Sequence, residues 1–212
     1  MGVEVEVREV ETPHGLARLH VHRAHDPVGT LLLGHGAGGG IGARDLVAAT
    51  AASLSRGVSV ALVKQPYRVA GRRSPAPARQ LDAAWVAVAG HLRATIVGAN
   101  ALVAGGRSSG GRVACRTAAE VGAVGVLCLA FPLRPPGRCE ADIASRLPEL
   151  ESVSVPVLVV QGARDPFGIP SAGPGRTVVE VSGDHSLRAD LDSIEAAVSD
   201  WLPTLLRHHV SD

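Results

Sequence analysis

From Val3 to His22 apolar and polar residues alternate: Val3, Val5 and Val7 with Glu4, Glu6 and Arg8, then Ala17, Leu19 and Val21 with Arg18, His20 and His22. With Pro13-His14-Gly15 between the two runs, a period of two predicts an antiparallel pair of strands with one wet face. At Thr30 the pattern changes. Thr30-Leu-Leu-Leu-Gly34 is an unbroken apolar run, as expected of a parallel strand covered on both faces. It is followed by His35-Gly-Ala-Gly-Gly-Gly40 and a helical stretch from Ala43 to Arg56. Further strands are predicted at 58–63, 101–105 and 124–130, with helices near 78–93 and 109–121. Strands at 156–161 and 177–181 and an amphipathic helix from Leu191 to Arg207 close the chain. Strands alternating with helices in this way predict an α/β fold, a mostly parallel eight-stranded sheet with helices on both faces.

The chain has 212 residues and no linker-like stretch, so one domain over 1–212 is expected. The Pro/Arg-rich segment from Ala70 to Arg79 reads as a surface connection. Basic and acidic residues number 21 and 20, which gives no global attraction to nucleic acid or to an anionic membrane. Tyr67, Trp85, Phe131, Phe167 and Trp201 are the aromatic residues; the core must be built from Val, Leu and Ala, and platforms for base stacking are lacking. Cys115, Cys128 and Cys139 are an odd set without metal-ligand spacing and read as small core residues of a reduced, cytoplasmic protein. The first residues have no apolar run of the kind a signal peptide or membrane span needs. His20 and His22 share a strand face but have no third ligand near in sequence, so they are read as solvated; no metal and no cofactor is expected.

The chemistry centres on Gly106-Arg-Ser108-Ser-Gly110. A predicted strand precedes this G-x-S-x-G and a predicted helix follows it, which is the context of a nucleophile elbow. There the serine takes strained backbone angles, and glycines two before and two after let strand and helix pass closely. In open parallel sheets reactive groups gather at the carboxyl ends of strands. Asp165 follows the strand at 156–161, and His185 follows the strand at 177–181. Ser108, Asp165 and His185 therefore occur in the chain order of a hydrolase triad, with the serine as nucleophile, the imidazole as base then acid, and the carboxylate as orienter. For the acyl oxygen, the N–H of Ser109 and the N–H of Ala37 in the loop after the third strand are the expected oxyanion donors, with Gly36 or Gly38 as alternatives to Ala37. Each has a plainer reading. Ser108 could cap its helix, Asp165-Pro166 could be a turn, and Asp184 competes as the acid, although adjacency to His185 places it poorly. His35 is expected to brace the glycine-rich loop. Gly34-x-Gly36-x-x-Gly39 also fits a dinucleotide fingerprint, but the next strand ends in Lys64-Gln65 where that reading requires an acid.

With these residues in hand, the chain resembles an α/β-hydrolase over nearly its whole length. More narrowly, it is similar to the compact family of testis-expressed hydrolase-like proteins and of a hydrolase-like subunit of a histone acetyltransferase (NSL) complex. The matching stretches are Gly34-His-Gly-Ala-Gly38, Pro66-Tyr-Arg68 with Gly71-Arg-Arg73, Gly105-Gly-Arg-Ser-Ser-Gly-Gly-Arg112, Phe131-Pro-Leu-Arg-Pro-Pro-Gly137, Gln161-Gly-Ala-Arg-Asp-Pro-Phe-Gly168 and Gly183-Asp-His185. Wider relatives resemble dienelactone hydrolases and small carboxylesterases. The resemblance implies cofactor-free cleavage of a carboxylic ester or thioester, with no cap domain, since the sixth and seventh strands are joined by too few residues to hold one. It leaves two other readings open, acyl transfer through the same site and a hydrolase-fold interaction module that binds a protein partner and leaves its triad unused. Arg68, Arg72, Arg73, Arg107, Arg134 and Arg138 lie in stretches that could border the strand ends, which would suit an acidic or phosphate-bearing small-molecule substrate.

Overall fold

The computed structural model describes residues 5–98, 100–135 and 145–206. Eight strands form its frame: β1 (Val5–Thr12), β2 (Gly15–His22), β3 (Gly29–Gly34), β4 (Val58–Lys64), β5 (Ala101–Arg107), β6 (Gly125–Leu129), β7 (Val157–Gly162) and β8 (Arg176–Val181). They lie side by side in the order β1-β2-β4-β3-β5-β6-β7-β8. β1 pairs antiparallel with β2, and β2 with β4; every other neighbouring pair is parallel. The helices are α1 (Arg44–Ser55), α2 (Pro66–Val69), α3 (Ala78–Leu92), α4 (Ser109–Thr117), α5 (Leu147–Glu151) and α6 (Leu191–Leu206), with one π-helical turn, Arg93–Val97, running on from α3. This is the mostly parallel α/β sheet expected from the pattern, with strand bounds shifted by a residue or two.

Alternate side chains of the central strands feed two separate cores. Leu31 and Leu33 of β3, Val103 of β5 and Leu158 of β7 pack with α1 and α6 through residues such as Leu46, Ala49, Ile194 and Val198. Leu32, Leu102, Ala104 and Val159 pack on the other face, with Trp85 and Val88 of α3 and Val113 and Ala114 of α4. Both faces of each central strand are therefore apolar, as the unbroken run at 30–34 requires, and each fully buried Leu or Val contributes about 1.5–3 kcal/mol.

The edge departs from expectation. Ala17, Leu19 and Val21 of β2 are buried, but Val5 and Val7 of β1 are 42% and 52% exposed. Register is the cause: Leu19 and Val21 stand opposite Arg8 and Glu6, so Val5 and Val7 share the outer face with His22 and His20. Arg8 donates to Glu6 at 2.6 Å, and this pair lies over the inner edge. α4 also stops at Thr117, short of Val121; the chain leaves it through i→i+3 bonds and Gly122 at φ +62°. α2 and α5, of four and five residues, are too short to show a helical period in sequence.

The tightest point of the fold is where α4 leaves β5. A Cβ on Gly106 would lie 2.6 Å from the carbonyl oxygen of Gly34 and from the carbonyl carbon of Gly110, and one on Gly110 would lie 2.3 Å from the Gly34 oxygen. All the obstructing atoms are backbone, so no side chain can move aside. Gly110→Ala is expected to destabilise the fold by about 3 kcal/mol or more, the upper part of the overpacking range. Gly90→Ala should act in the opposite direction. Gly90 sits in α3 with nothing within 4 Å of an added Cβ, and removing backbone freedom there should stabilise by about 0.5–1 kcal/mol. Urea denaturation of the two variants checks both signs.

Candidate active site

Ser108 stands between β5 and α4 at φ 51° and ψ −110°, a left-handed conformation that costs a non-glycine residue about 1–3 kcal/mol. Its N–H donates to the Leu129 carbonyl at 2.8 Å, which ties the turn to the end of β6. The hydroxyl makes no capping bond to α4. Instead it lies 3.0 Å from His185 Nε2. On the far side of the ring, His185 Nδ1 is 2.7 Å from Asp165 Oδ2. A carboxylate at Nδ1 fixes the proton there, so Nε2 is left as acceptor for the Ser108 hydroxyl. Three residues spread from 108 to 185 thus form one hydrogen-bonded line. Asp184, the competing acid, is engaged elsewhere: its Oδ1 accepts from the Ser186 N–H and hydroxyl at 2.8 and 2.6 Å.

Each member of the line is held from behind. The Asp165 carboxylate is buried and accepts from the Phe167 N–H at 2.9 Å and from Gln161 Nε2 at 2.8 Å. Gln161 Nε2 also faces the carbonyl oxygens of Phe131 and Gly168 at 3.1 and 3.0 Å. Three acceptors around one atom identify it as the amide nitrogen. The Phe167 ring meets His185 edge-on, with centroids 4.5 Å apart. Arg107, the residue before the serine, reaches across the site. Its Nε pairs with Asp45 Oδ2 at 2.9 Å, and its Nη2 donates to the His185 carbonyl at 3.0 Å. Asp45 is fully buried near the start of α1, and burial raises its carboxyl above the ordinary range while the Arg107 charge pulls it down.

The glycine-rich loop is braced by two aromatic rings. His35 is buried; its Nδ1 faces the Gly36 carbonyl at 2.8 Å and its Nε2 accepts the Gln65 N–H at 3.2 Å. The Tyr67 hydroxyl donates to the Ala37 carbonyl at 2.9 Å. His35 therefore braces the loop, as expected, and burial holds its pKa below the usual histidine value. The N–H groups of Ala37 and Ser109 have no hydrogen-bond acceptor among the described residues. Both residues line the same crevice as Ser108 and His185, a space of about 420 Å³. All five residues singled out in sequence therefore meet in one place.

A family model described as an alpha/beta hydrolase domain matches residues 27–196 of the chain. The chain belongs to the alpha/beta hydrolase family. Solved structures with the same hydrolase fold include XC6422 from Xanthomonas campestris, described as an α/β serine hydrolase without a lid. It is 20% identical, with 99% of this chain and 95% of that one covered and a TM-score of 0.74. A dienelactone hydrolase from Anabaena variabilis is 16% identical, with 96% and 99% covered and a TM-score of 0.74. The esterase Pf2001 from Pyrococcus furiosus is 14% identical, with 96% and 91% covered and a TM-score of 0.76. A comparison with curated proteins finds no match.

In this alpha/beta hydrolase the connection from β6 to β7 holds, among the described residues, only the short α5. The arginine rim differs from expectation. Arg107 lines the crevice, but Arg72 lines a separate one with His14, Gln65 and Tyr67; Arg68 donates to the Arg72 carbonyl at 3.4 Å. Arg138, like Cys139, lies outside the described residues. Arg112 and Arg146 line the site, and neither was singled out in sequence as bordering it. Gln161, Asp45 and Tyr67 were missed as well. A polar residue ending an apolar strand was a signal for Gln161; nothing local marked Asp45.

Two predictions follow from the buried groups. Arg107→Met leaves the Asp45 carboxylate buried without its counter-charge and is expected to cost about 3–5 kcal/mol. Adding Asp45→Asn to that variant should recover part of the loss, because the stranded charge is then gone; strictly additive urea stabilities across the cycle would contradict this. For His35 the folded pKa lies below the ordinary value of 6.5, so below that pH the unfolded chain binds a proton that the folded chain does not. Stability is then complete above pH 6.5 and is lost as pH falls, levelling off once the folded pKa is passed. The difference in urea midpoint between the parent and His35→Gln, followed from about pH 7.5 down to about 5, should narrow as pH falls.

Proposed function

We propose that this protein is a serine hydrolase that cleaves a carboxylic ester or thioester through an acyl-enzyme on Ser108. The observation that carries this reading is the unbroken Ser108–His185–Asp165 line, with Ser108 and His185 in one crevice with two N–H groups that have no acceptor among the described residues. In the first step Ser108 Oγ attacks the carbonyl carbon and its proton passes to His185 Nε2. The electron pair of the C=O bond moves to oxygen, where the Ala37 and Ser109 N–H groups donate to it. As the tetrahedral intermediate collapses, the bond to the alkoxide or thiolate breaks and His185 gives its proton to the leaving group. Water repeats the sequence: it loses a proton to His185, attacks the acyl carbon, and frees the acid and Ser108. Asp165 keeps the imidazole in the tautomer with Nδ1 protonated and stabilises the imidazolium formed twice per turnover.

Three further features support the reading. Ser108 bears a strained backbone, and such outliers cluster where a side chain must be presented to a ligand. The solved structures that share the fold carry names such as esterase and dienelactone hydrolase. Finally, an interaction module has no need to align a hydroxyl, an imidazole and a buried carboxylate with each at 3.0 Å or less from the next. Acyl transfer would use the same residues with an acceptor in place of water. Cys115 and Cys128 are free thiols, in keeping with a reducing, cytoplasmic setting, and no helix among the described residues is long and apolar enough to cross a membrane.

The test is covalent. A fluorophosphonate probe should add once to the purified protein, read as intact mass, and should not add to Ser108→Ala, which keeps the fold. Asp165→Asn should retain the fold and lose about 10⁴-fold in turnover of a reactive ester, because the amide favours the wrong imidazole tautomer. Absence of an adduct on the folded parent protein would overturn the hydrolase reading.

A further inference from the structure

Three guanidinium groups line the crevice over Ser108: Arg107, Arg112 and Arg146. Two of them are answered by carboxylates. Arg107 pairs with Asp45, and Arg112 grips Glu149 with Nε to Oε2 at 2.8 Å and Nη2 to Oε1 at 2.6 Å. Glu149 is shared, since Arg116 Nη1 also reaches its Oε1 at 3.3 Å. The remaining fork of Arg116 holds Asp82 at 2.9 and 2.6 Å.

Among the described residues Arg146 has no such partner. Among the described residues its bonds run from Nη1 alone, to the carbonyl oxygens of Pro132 and Arg134 at 3.3 and 3.4 Å. Its Nε and Nη2, the edge that binds a carboxylate in two parallel hydrogen bonds, have no acceptor among the described residues. Among the described residues, the cluster of Arg112, Arg116 and Arg146 against Asp82 and Glu149 thus carries one positive charge in excess. Arg146 is half-buried, and burial together with the Arg112 charge lowers its pKa, with Glu149 opposing in part. Solvent screens this group less than it would a surface arginine. Pro75, Pro132 and Phe167 supply apolar wall to the same crevice.

We propose that Arg146 is the anion-binding residue of this site, and that the substrate carries a free carboxylate a short apolar chain away from the ester or thioester bond that is cut. This rests on the Ser108 hydrolase reading. The excess cation supplies the charge, the open guanidinium edge supplies the geometry, and the shared crevice supplies the proximity. An arginine that served only to tie residues 132–134 to α5 would affect stability and leave substrate choice alone.

The experiment compares two acyl groups of equal length, in 4-nitrophenyl hemisuccinate and 4-nitrophenyl butyrate, on the full-length protein. The parent should favour the hemisuccinate in kcat/KM. Arg146→Met should lower the ratio of the two by about tenfold or more, the loss expected for one charge-assisted bidentate contact, and Arg146→Lys should keep part of the preference. A parallel measurement needs no turnover: glutarate binding by calorimetry, expected for the parent and lost in Arg146→Met. Equal turnover of both esters, with a ratio unchanged in Arg146→Met, would overturn this proposal while the hydrolase reading stands. Failure of the fluorophosphonate adduct and of both esters would overturn the hydrolase reading; glutarate binding that depends on Arg146 would then still support an anion site, and its absence would remove that too. Should Arg146→Met not fold, the parent's own ester ratio and the Arg146→Lys variant decide the matter.

Discussion

Every functional distance in this protein depends on how closely three backbones approach one another. β3, β5 and the first turn of α4 meet at Gly34, Gly106 and Gly110, with no room for a Cβ between them. That contact forces the chain to reverse within one residue, and Ser108 takes the strained conformation that results. The strain is offset by what surrounds it: the Ser108 N–H is bound by β6, the helix behind packs into one of the two apolar cores, and the strand before it lies between β3 and β6. A rigid frame on both sides lets a serine hydroxyl project where a softer turn would relax.

Polar groups then work in two layers. The inner line of Ser108, His185 and Asp165 is short and linear, and the outer ring of Gln161, Phe167, Arg107, Asp45, His35 and Tyr67 fixes backbone and carboxylate positions around it. Arg107 joins the most distant of these parts, because it sits on the elbow itself and bonds both α1 and the loop that carries His185. Such a buried ion pair adds little net stability over an apolar replacement. Its value here is register, since one planar guanidinium sets two loops relative to the serine between them.

Much of this was legible in the sequence. An apolar run of five at 30–34, a G-x-S-x-G after a strand, and Asp165 and His185 each just past a strand end located the frame and the inner line before any coordinates. The outer ring was not legible, for a physical reason. Arg107 and His185 are 78 residues apart, and which carboxylate answers which arginine depends on the order of strands across the sheet, which composition does not encode. The rim arginines show this directly: proximity in sequence to a strand end pointed to Arg72, while the sheet delivers Arg112 and Arg146. The exposed Val5 and Val7 have the same origin, because the face a strand buries is set by its partner's register and not by its own alternation.

The packing of α1 against α6 in one apolar core also bears on how the imidazole beside Ser108 is held. His185 hangs in the short loop between β8 and α6, and its carbonyl is held by an arginine whose carboxylate partner belongs to α1. The position of the imidazole beside Ser108 is thus a property of the closed sheet and of an element from the far end of the chain order, not of its own loop alone.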